Sequence, residues 1–121
     1  MDASRNPRAT LGRSGEDLAV ALYERERYTI LERNYRVAEG EIDVVARRGN
    51  TVVFCEVKTR RTDSWGLPAE AVAWAKQARL RRLAARWMRE RQPGDVEIRF
   101  DVVSIVVRDG QPELTHFPDA F

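Results

Sequence analysis

The chain has 121 residues, 43% of them hydrophobic, which is enough for one packed core and too few for two domains of ordinary size. No apolar run approaches the roughly 20 residues that a membrane-spanning helix needs, and the polar N-terminal residues do not resemble a signal peptide, which argues against a membrane or secreted protein. The single cysteine, Cys55, cannot form an internal disulfide, so we expect it to pack in the core of a cytoplasmic protein.

The N-terminal half predicts one helix and three strands. Residues 1–12 are expected to form a flexible basic tail ahead of a single domain over 13–121. Ser14 followed by Asp17 matches a capping box, so a helix should run from Ser14 to about Glu26. Apolar and β-branched residues then mark three strands, which we place at 28–36, 41–47 and 51–59.

The C-terminal half predicts a helix between two strands, followed by one more short strand. Gln92-Pro93-Gly94 should end the helix, and Asp109-Gly110 should turn the chain between the last two strands. A strand–helix–strand unit joins parallel strands through a right-handed crossover, so the fold class is α/β, a mixed sheet flanked by helices in the order α-β-β-β-α-β. The segments are a loop at 60–68, a helix at about 69–91, a strand at 98–107 and a short strand at 113–117.

The hairpin between the second and third strands brings charged residues together. A two-residue turn at Gly49-Asn50 makes the numbers of paired residues sum to 99. Asp43 should then lie directly opposite Glu56, with both side chains on one face of the sheet. By the same rule, Glu41 should lie opposite Lys58, so that three acids and a lysine share one patch.

The face that carries these acids is otherwise apolar, since Val45 and Phe54 lie on it too. Facing carboxylates repel each other and are costly on an apolar surface unless a cation compensates them. Mg²⁺ suits such a pair, because it takes carboxylate oxygens and keeps water molecules for a substrate phosphate. Lys58 would then stabilise charge on the phosphate, or orient or deprotonate the attacking water. The alternative is a solvent-facing strand pair with alternating charges.

The second predicted helix concentrates positive charge. Residues 76–91 contain seven cations and one anion, a net +6 in a chain of net +2, which indicates either a polyanionic partner or a solvated helix. Lys76 falls within the apolar stripe of this helix, where it would contact a phosphate or extend its stem over the edge of the core. A separate arginine stripe suits contacts to a phosphate backbone and consists of Arg79, Arg82, Arg86 and Arg89.

Two other groups of residues have weaker signals. Arg60, Arg61 and Trp65 lie in the predicted loop after the third strand, where they would clamp or stack on nucleic acid; packing of Trp65 in the core is the alternative. Asp101 is expected to pair with an arginine rather than to bind a metal. His116 has no partner at metal-ligand spacing, and no role is assigned to it.

The spacing of the charged residues on the hairpin resembles a nuclease signature. Asp43, twelve intervening residues and then Glu56-Val57-Lys58 resemble the D…E-x-K pattern of the PD-(D/E)XK superfamily, with Ile42 where the superfamily name has proline. A wider set of motifs, within about residues 12–107, resembles the bacterial YraN-like family, which is similar to archaeal Holliday-junction resolvases. These motifs are Gly15-Glu16, Gly40-Glu41-Ile42-Asp43, the segment from Phe54 to Arg60, Trp65-Gly66-Leu67-Pro68, Lys76 and the segment from Arg99 to Val103.

The resemblance implies a restriction-endonuclease-like fold and an endonuclease that depends on Mg²⁺ or Mn²⁺. Asp43 and Glu56 would be metal ligands, with the Val57 carbonyl as a third; Lys58 would be the catalytic lysine, and Glu16 would match the helix-borne acid of the resolvases. We expect DNA rather than RNA as the substrate, branched or damaged, and no membrane partner. Cutting a four-way junction would require a homodimer. The alternatives are a non-catalytic nucleic-acid-binding module and an interaction subunit of a DNA repair or recombination complex.

Overall fold

The computed structural model describes the backbone of residues 7–61 and 74–121, and the side chains within 15–61 and 75–121. Over these ranges the chain forms two helices and a five-stranded mixed sheet in the order α-β-β-β-α-β-β, which confirms the predicted α/β fold class. No helix in them is long and apolar enough to cross a membrane. The elements are α1 (Pro7–Arg25), β1 (Thr29–Val37), β2 (Gly40–Arg48), β3 (Thr51–Arg61), α2 (Trp74–Arg91), β4 (Glu97–Arg108) and β5 (Gln111–Phe117).

The strands lie in the sheet in the order in which they occur along the chain. The pairs β1–β2, β2–β3 and β4–β5 are antiparallel, whereas β3 and β4 are parallel, as the predicted strand–helix–strand unit requires. Asp109 and Gly110 turn β4 into β5 with φ angles of 50° and 76°, a conformation that glycine and aspartate adopt more readily than other residues. The predicted turn between β4 and β5 is therefore present.

Both faces of β3 are buried, which explains its continuous run of apolar residues. Phe54 packs against α2, where the Trp87 ring meets it edge-on with centroids 5.5 Å apart. Val53 and Cys55 pack on the other face, in a cluster that includes Tyr23 of α1. Cys55 is fully buried, which confirms its predicted place in the core. The sheet is thus the middle layer between the two helices.

Helix α1 begins earlier than the capping-box pattern predicts. It starts at Pro7, so Ser14 lies inside the helix rather than at its N-cap, and residues 7–12 are helical where a flexible tail was expected. Proline suits the first turn of a helix because its missing N–H would have no partner there. Residues 1–6 of the expected tail lie outside the described residues.

Strand β3 extends further than the sequence predicts. Arg60 and Arg61 belong to the strand and not to a loop, because the parallel ladder with β4 continues through them to Val106 and Val107. The cause is long-range pairing, which a local loop composition does not reveal. The remainder of the predicted loop, with Trp65, and the predicted first turn of the second helix at 69–73 lie outside the described residues.

A buried carboxylate links α1, β4 and β5. Asp101 is fully buried and accepts hydrogen bonds from the Tyr23 hydroxyl at 2.7 Å, the Arg99 guanidinium at 2.8 and 2.9 Å and the Asp119 backbone N–H at 3.0 Å. The predicted pairing with an arginine is confirmed. Nε2 of His116, for which the sequence predicted no role, lies 2.8 Å from the same carboxylate. Burial raises the pKa of Asp101, but these bonds, led by that from Arg99, outweigh it and hold the pKa below its usual value.

Candidate metal and nucleic-acid site

The candidate site lies where β2 and β3 separate. The predicted register is confirmed near the turn, from Arg48↔Thr51 to Val44↔Cys55, and the ladder ends there. Beyond this point the Asp43 carboxylate takes the place of a backbone carbonyl of β2 as hydrogen-bond acceptor. Its Oδ2 accepts a hydrogen bond from the Val57 N–H at 2.7 Å. The ladder therefore does not reach the predicted pairs Asp43–Glu56 and Glu41–Lys58.

Asp43 occupies an irregular position in β2. Ile42 and Val45 both pack in the α2-side core, whereas Val44 packs in the α1-side core, so strict alternation of faces breaks at Asp43. Across the β1–β2 ladder, between Arg33↔Val44 and Tyr35↔Ile42, lies Asn34 with a φ of 54°. Such local irregularities re-aim side chains next to functional sites.

A cavity of about 180 Å³ opens beside this irregularity. Asp43 and Glu56 both line it, so the two predicted ligand carboxylates lie in one cavity although the ladder does not pair them. Glu41 also lines it, but its carboxylate accepts a hydrogen bond from Arg36 at 2.9 Å rather than meeting Lys58. The rest of the described lining comes from α2 and consists of Lys76, Arg79, Leu80 and Leu83.

The closest ion pair in the cavity joins Glu56 to helix α2. Nζ of Lys76 lies 2.6 Å from Oε1 of Glu56, whose side chain is only 12% exposed. This contact confirms that Lys76 is directed inward, and its partner is one that sequence reasoning missed. Two signals pointed to the residue: Lys76 falls in the apolar stripe of α2, and it is one of two lysines among 21 cations. The other lysine, Lys58, interacts with Lys76, whose ammonium helps to lower the pKa of Lys58.

The pKa values of the central groups respond to crowding in a small, partly dry space. Burial raises the pKa of Asp43 from its usual 3.8 to about 7; three neighbouring carboxylates add to this effect, and the Val57 N–H bond opposes it. Burial and the neighbouring Lys76 ammonium lower the pKa of Lys58. Burial also lowers the pKa of Lys76, but the ion pair with Glu56 outweighs this effect, so that the pKa of Lys76 is raised. A cation between the carboxylates would relieve the repulsion that Asp43 experiences.

Glu16 reaches the region from α1. The preceding residue, Gly15, lies so close to β3 that a Cβ there would collide with the Thr59 hydroxyl oxygen, and this close packing holds the helix against the strand. Oε1 of Glu16 accepts a hydrogen bond from Asn34 Nδ2 at 3.0 Å. Its charge is near enough to help raise the pKa of Asp43. Glu16 therefore lies close to the site, and its described partners are the Asn34 amide and, at 3.8 Å, the Arg33 guanidinium.

The donor atoms at this site can be compared with what a hard divalent cation needs. Within the described ranges, no group of three or more His, Cys, Asp and Glu side chains is arranged to hold a metal ion. Two carboxylates, Asp43 and Glu56, do face one cavity. The carbonyl of Val57 lies on the same edge of β3 as its N–H, which bonds to Asp43, because both groups of a strand residue point the same way. Two carboxylates and a carbonyl, completed by water, fit Mg²⁺ or Mn²⁺.

The arginines predicted to bind nucleic acid differ in how they are held. Arg86 bonds to Glu90 at 2.8 Å and to Glu39 at 3.0 Å, so it is already paired on the protein surface. Arg79 lines the cavity, and Arg82 and Arg89 are exposed. No ion pair links these three to a carboxylate in the part of the chain that the structure describes. At the end of β3, Arg60 is half-buried and Arg61 is exposed.

Comparison with known proteins identifies the family. The family described as "Uncharacterised protein family UPF0102" matches residues 15–105. A UPF0102 protein of Geobacter metallireducens is 47% identical over 112 residues, which cover 93% of this chain and 92% of the relative. A UPF0102 protein of Rhodococcus opacus is 46% identical over 112 residues, covering 92% and 95%. The resemblance to the YraN-like family is thereby confirmed, and the chain belongs to UPF0102, the YraN family.

Proposed function

We propose that this protein is a cytoplasmic, metal-dependent endonuclease that hydrolyses phosphodiester bonds in DNA, with a restriction-endonuclease-like site of the PD-(D/E)XK kind. The observation that carries the proposal is the convergence of two carboxylates and two lysines where β2 and β3 separate. Asp43 and Glu56 line one cavity with Lys76, and Lys58 lies next to Lys76. Opposite charges at such close quarters suit a site that binds both a cation and an anionic phosphate.

The residues have distinct roles in this proposal. Asp43, Glu56 and the Val57 carbonyl would hold Mg²⁺ or Mn²⁺, which when bound lowers the pKa of a water molecule and polarises the phosphate. Lys58 would place a compact positive charge beside the phosphate, or orient or deprotonate the attacking water. Burial and the Lys76 ammonium lower the pKa of Lys58, and a lowered pKa is the direction that a general base requires. Glu16 of α1 would add a further negative charge close to Asp43.

In this proposal the substrate backbone is contacted by arginines of α2, of which Arg79 lines the cavity, and of the end of β3. Arg79, Arg82 and Arg89 have no carboxylate partner in the described parts of the chain, so their guanidinium groups are available for phosphates. Arg60 and Arg61 follow Lys58 on β3 and would extend the contact along the strand end. Arg86 contributes less than the stripe pattern suggests, because Glu39 and Glu90 already bind it. If four-way junctions are the substrate, a homodimer would supply the second active site.

One observation favours a second candidate, a nucleic-acid-binding module or interaction subunit that does not cut. Lys76 already neutralises Glu56, and a pKa of about 7 leaves Asp43 partly protonated at neutral pH. The carboxylates therefore do not need a metal ion to be tolerated in the fold. In this case the arginine surface would bind nucleic acid and the acidic pair would serve only to position α2.

A cleavage screen with Mn²⁺ separates the two candidates. Single-stranded, duplex, flapped and four-way DNA, together with RNA, are incubated with the wild type and with Asp43→Asn and Glu56→Gln. We expect at least one DNA substrate to be cut by the wild type and both variants to be inactive, whereas Glu24→Gln, on the exposed surface of α1, cuts normally. Binding of nucleic acid without cleavage of any substrate would support the module and overturn the nuclease.

A further inference from the structure

We propose that Lys76 couples cation binding to phosphate binding: its ammonium is the internal counter-ion of Glu56 and is transferred to a substrate phosphate when a divalent cation takes its place. This inference rests on the proposed function, because it assigns Glu56 to a metal ion. It concerns a positioning residue on α2 and goes beyond the D…E-x-K residues of the hairpin.

The first step is the contact itself. Nζ of Lys76 lies 2.6 Å from Oε1 of Glu56, so the ammonium occupies the position from which a cation would approach that oxygen. The Glu56 side chain is 12% exposed, and a carboxylate buried to this extent requires a positive partner. The wild-type protein supplies that partner from its own helix.

The second step is competition. A divalent ion on Glu56 and an ammonium within hydrogen-bonding distance of the same carboxylate repel each other strongly in a partly dry cavity. Lys58 lies next to Lys76 and adds a further positive charge. Binding of the metal ion therefore requires the Lys76 ammonium to move away from Oε1.

The third step is the destination. The Lys76 side chain is 34% exposed, and its flexible stem lets the ammonium move without displacement of α2. Arg79, one turn further along the helix, lines the same cavity, so a phosphate there would meet two cations. A phosphate that accepts the displaced ammonium makes metal binding easier. By linkage, the metal ion then strengthens phosphate binding by the same factor.

The test measures binding without any cleavage. Mn²⁺ is titrated calorimetrically into the full chain with and without deoxythymidine monophosphate, which has no internucleotide bond to cut. The proteins are the wild type, Lys76→Met, Lys76→Gln and Arg81→Met. The last variant is the matched control, because it removes one positive charge from the same helix but from a side chain that stacks over Phe100. Circular dichroism and thermal melting show which variants are folded.

We expect Lys76→Met and Lys76→Gln to bind Mn²⁺ about tenfold more tightly than the wild type in the absence of nucleotide, a typical size for coupling between sites. The nucleotide should tighten Mn²⁺ binding to the wild type and to Arg81→Met, and have little effect on the two Lys76 variants. Equal or weaker Mn²⁺ affinity in folded Lys76 variants, or an equal effect of the nucleotide in all four proteins, would overturn the coupling alone. If no protein binds Mn²⁺, the metal site of the proposed function is overturned, and the coupling with it.

Discussion

Asp43 accepts the backbone N–H of Val57 at 2.7 Å, just beyond the last backbone pair between β2 and β3. The Asp43 side chain thus pairs a backbone N–H of β3 that no backbone carbonyl of β2 reaches. Backbone donors inside a folded protein are rarely left unpaired. The same bond fixes the position of the carboxylate. One interaction therefore both pairs the Val57 N–H and places the principal acid of the site.

The first prediction concerns pH and Asp43. Its pKa of about 7 in the folded protein, against a usual 3.8, means that the folded state binds the extra proton between these values. The contribution of Asp43 protonation to the free energy of unfolding is therefore fully present below its usual pKa of 3.8. It is lost as the pH rises through about 7. We predict that Asp43→Asn, which can still accept the Val57 N–H, raises the free energy of unfolding at pH 8 by about 1–3 kcal/mol, since one pKa unit corresponds to about 1.4 kcal/mol.

Urea denaturation between pH 4 and pH 8, in the presence of a chelator, measures this effect. The gain should shrink as the pH falls, and Glu24→Gln, on the exposed surface of α1, is the control for removal of a carboxylate elsewhere. An Asp43→Asn protein that is less stable than the wild type at pH 8 would contradict the assignment.

The second prediction concerns Lys58→Arg. A guanidinium is longer and planar, and it cannot act as a base near neutral pH, so we expect kcat to fall at least about 100-fold while metal and DNA binding are retained. An interaction made mainly in the transition state affects kcat more than binding. If Lys58 served only as a half-exposed structural cation, arginine would replace it with a change in stability of about 1 kcal/mol or less. Cleavage by Lys58→Arg at the wild-type rate would refute the catalytic role.

The third prediction separates two arginines of the same stripe. Arg82→Glu should weaken binding to any DNA sequence and reduce the slope of log affinity against log salt by about 1, because one phosphate contact is lost. Arg86→Glu should chiefly lower stability, since it would place a third acid beside Glu39 and Glu90. Fluorescence anisotropy with labelled duplex at several salt concentrations measures the first effect, and thermal melting the second. Equal loss of affinity in the two variants would show that Arg86 also contacts the phosphates.

The fourth prediction concerns the packing of α1 on β3. Alanine favours a helix over glycine by about 1 kcal/mol, but a Cβ at residue 15 would collide with the Thr59 hydroxyl oxygen. We therefore predict that Gly15→Ala destabilises the protein by about 1–3 kcal/mol, as overpacked core positions do. The double variant Gly15→Ala/Thr59→Ala should recover much of the loss in denaturant titrations. A single variant more stable than the wild type would mean that helix propensity outweighs the collision.

The parts of the fold that were predictable have local causes. A two-residue turn at Gly49-Asn50 fixes the register of its hairpin, and the observed pairs from Arg48↔Thr51 to Val44↔Cys55 follow from it. The position of Lys76 follows equally from helical periodicity. The end of the ladder was not predictable, because it depends on an irregularity at Asp43 that faces Asn34 on a different strand.

The unpredicted contacts have partners far away in the sequence. Arg86 pairs with Glu39, which lies 47 residues earlier in the chain. His116 of β5 contacts Asp101, which is fully buried on β4. The net charge of α2 counts every arginine equally, although Arg91 already forms an ion pair with Glu32 of β1 at 2.8 Å. Only the folded sheet shows which cations are already neutralised and which remain for a phosphate.

The Asp101 network has a consequence for the order in which the fold can be completed during synthesis. Tyr23 and Arg99 precede Asp101 in the chain, whereas His116 and the Asp119 N–H follow it by 15 and 18 residues. A partly synthesised chain that still lacks these two residues has only some of the hydrogen-bond partners of Asp101. Burying the Asp101 carboxylate without the others is costly. The carboxylate that Tyr23 of α1 binds therefore gains its full set of hydrogen bonds only after β5 and Asp119 have been made.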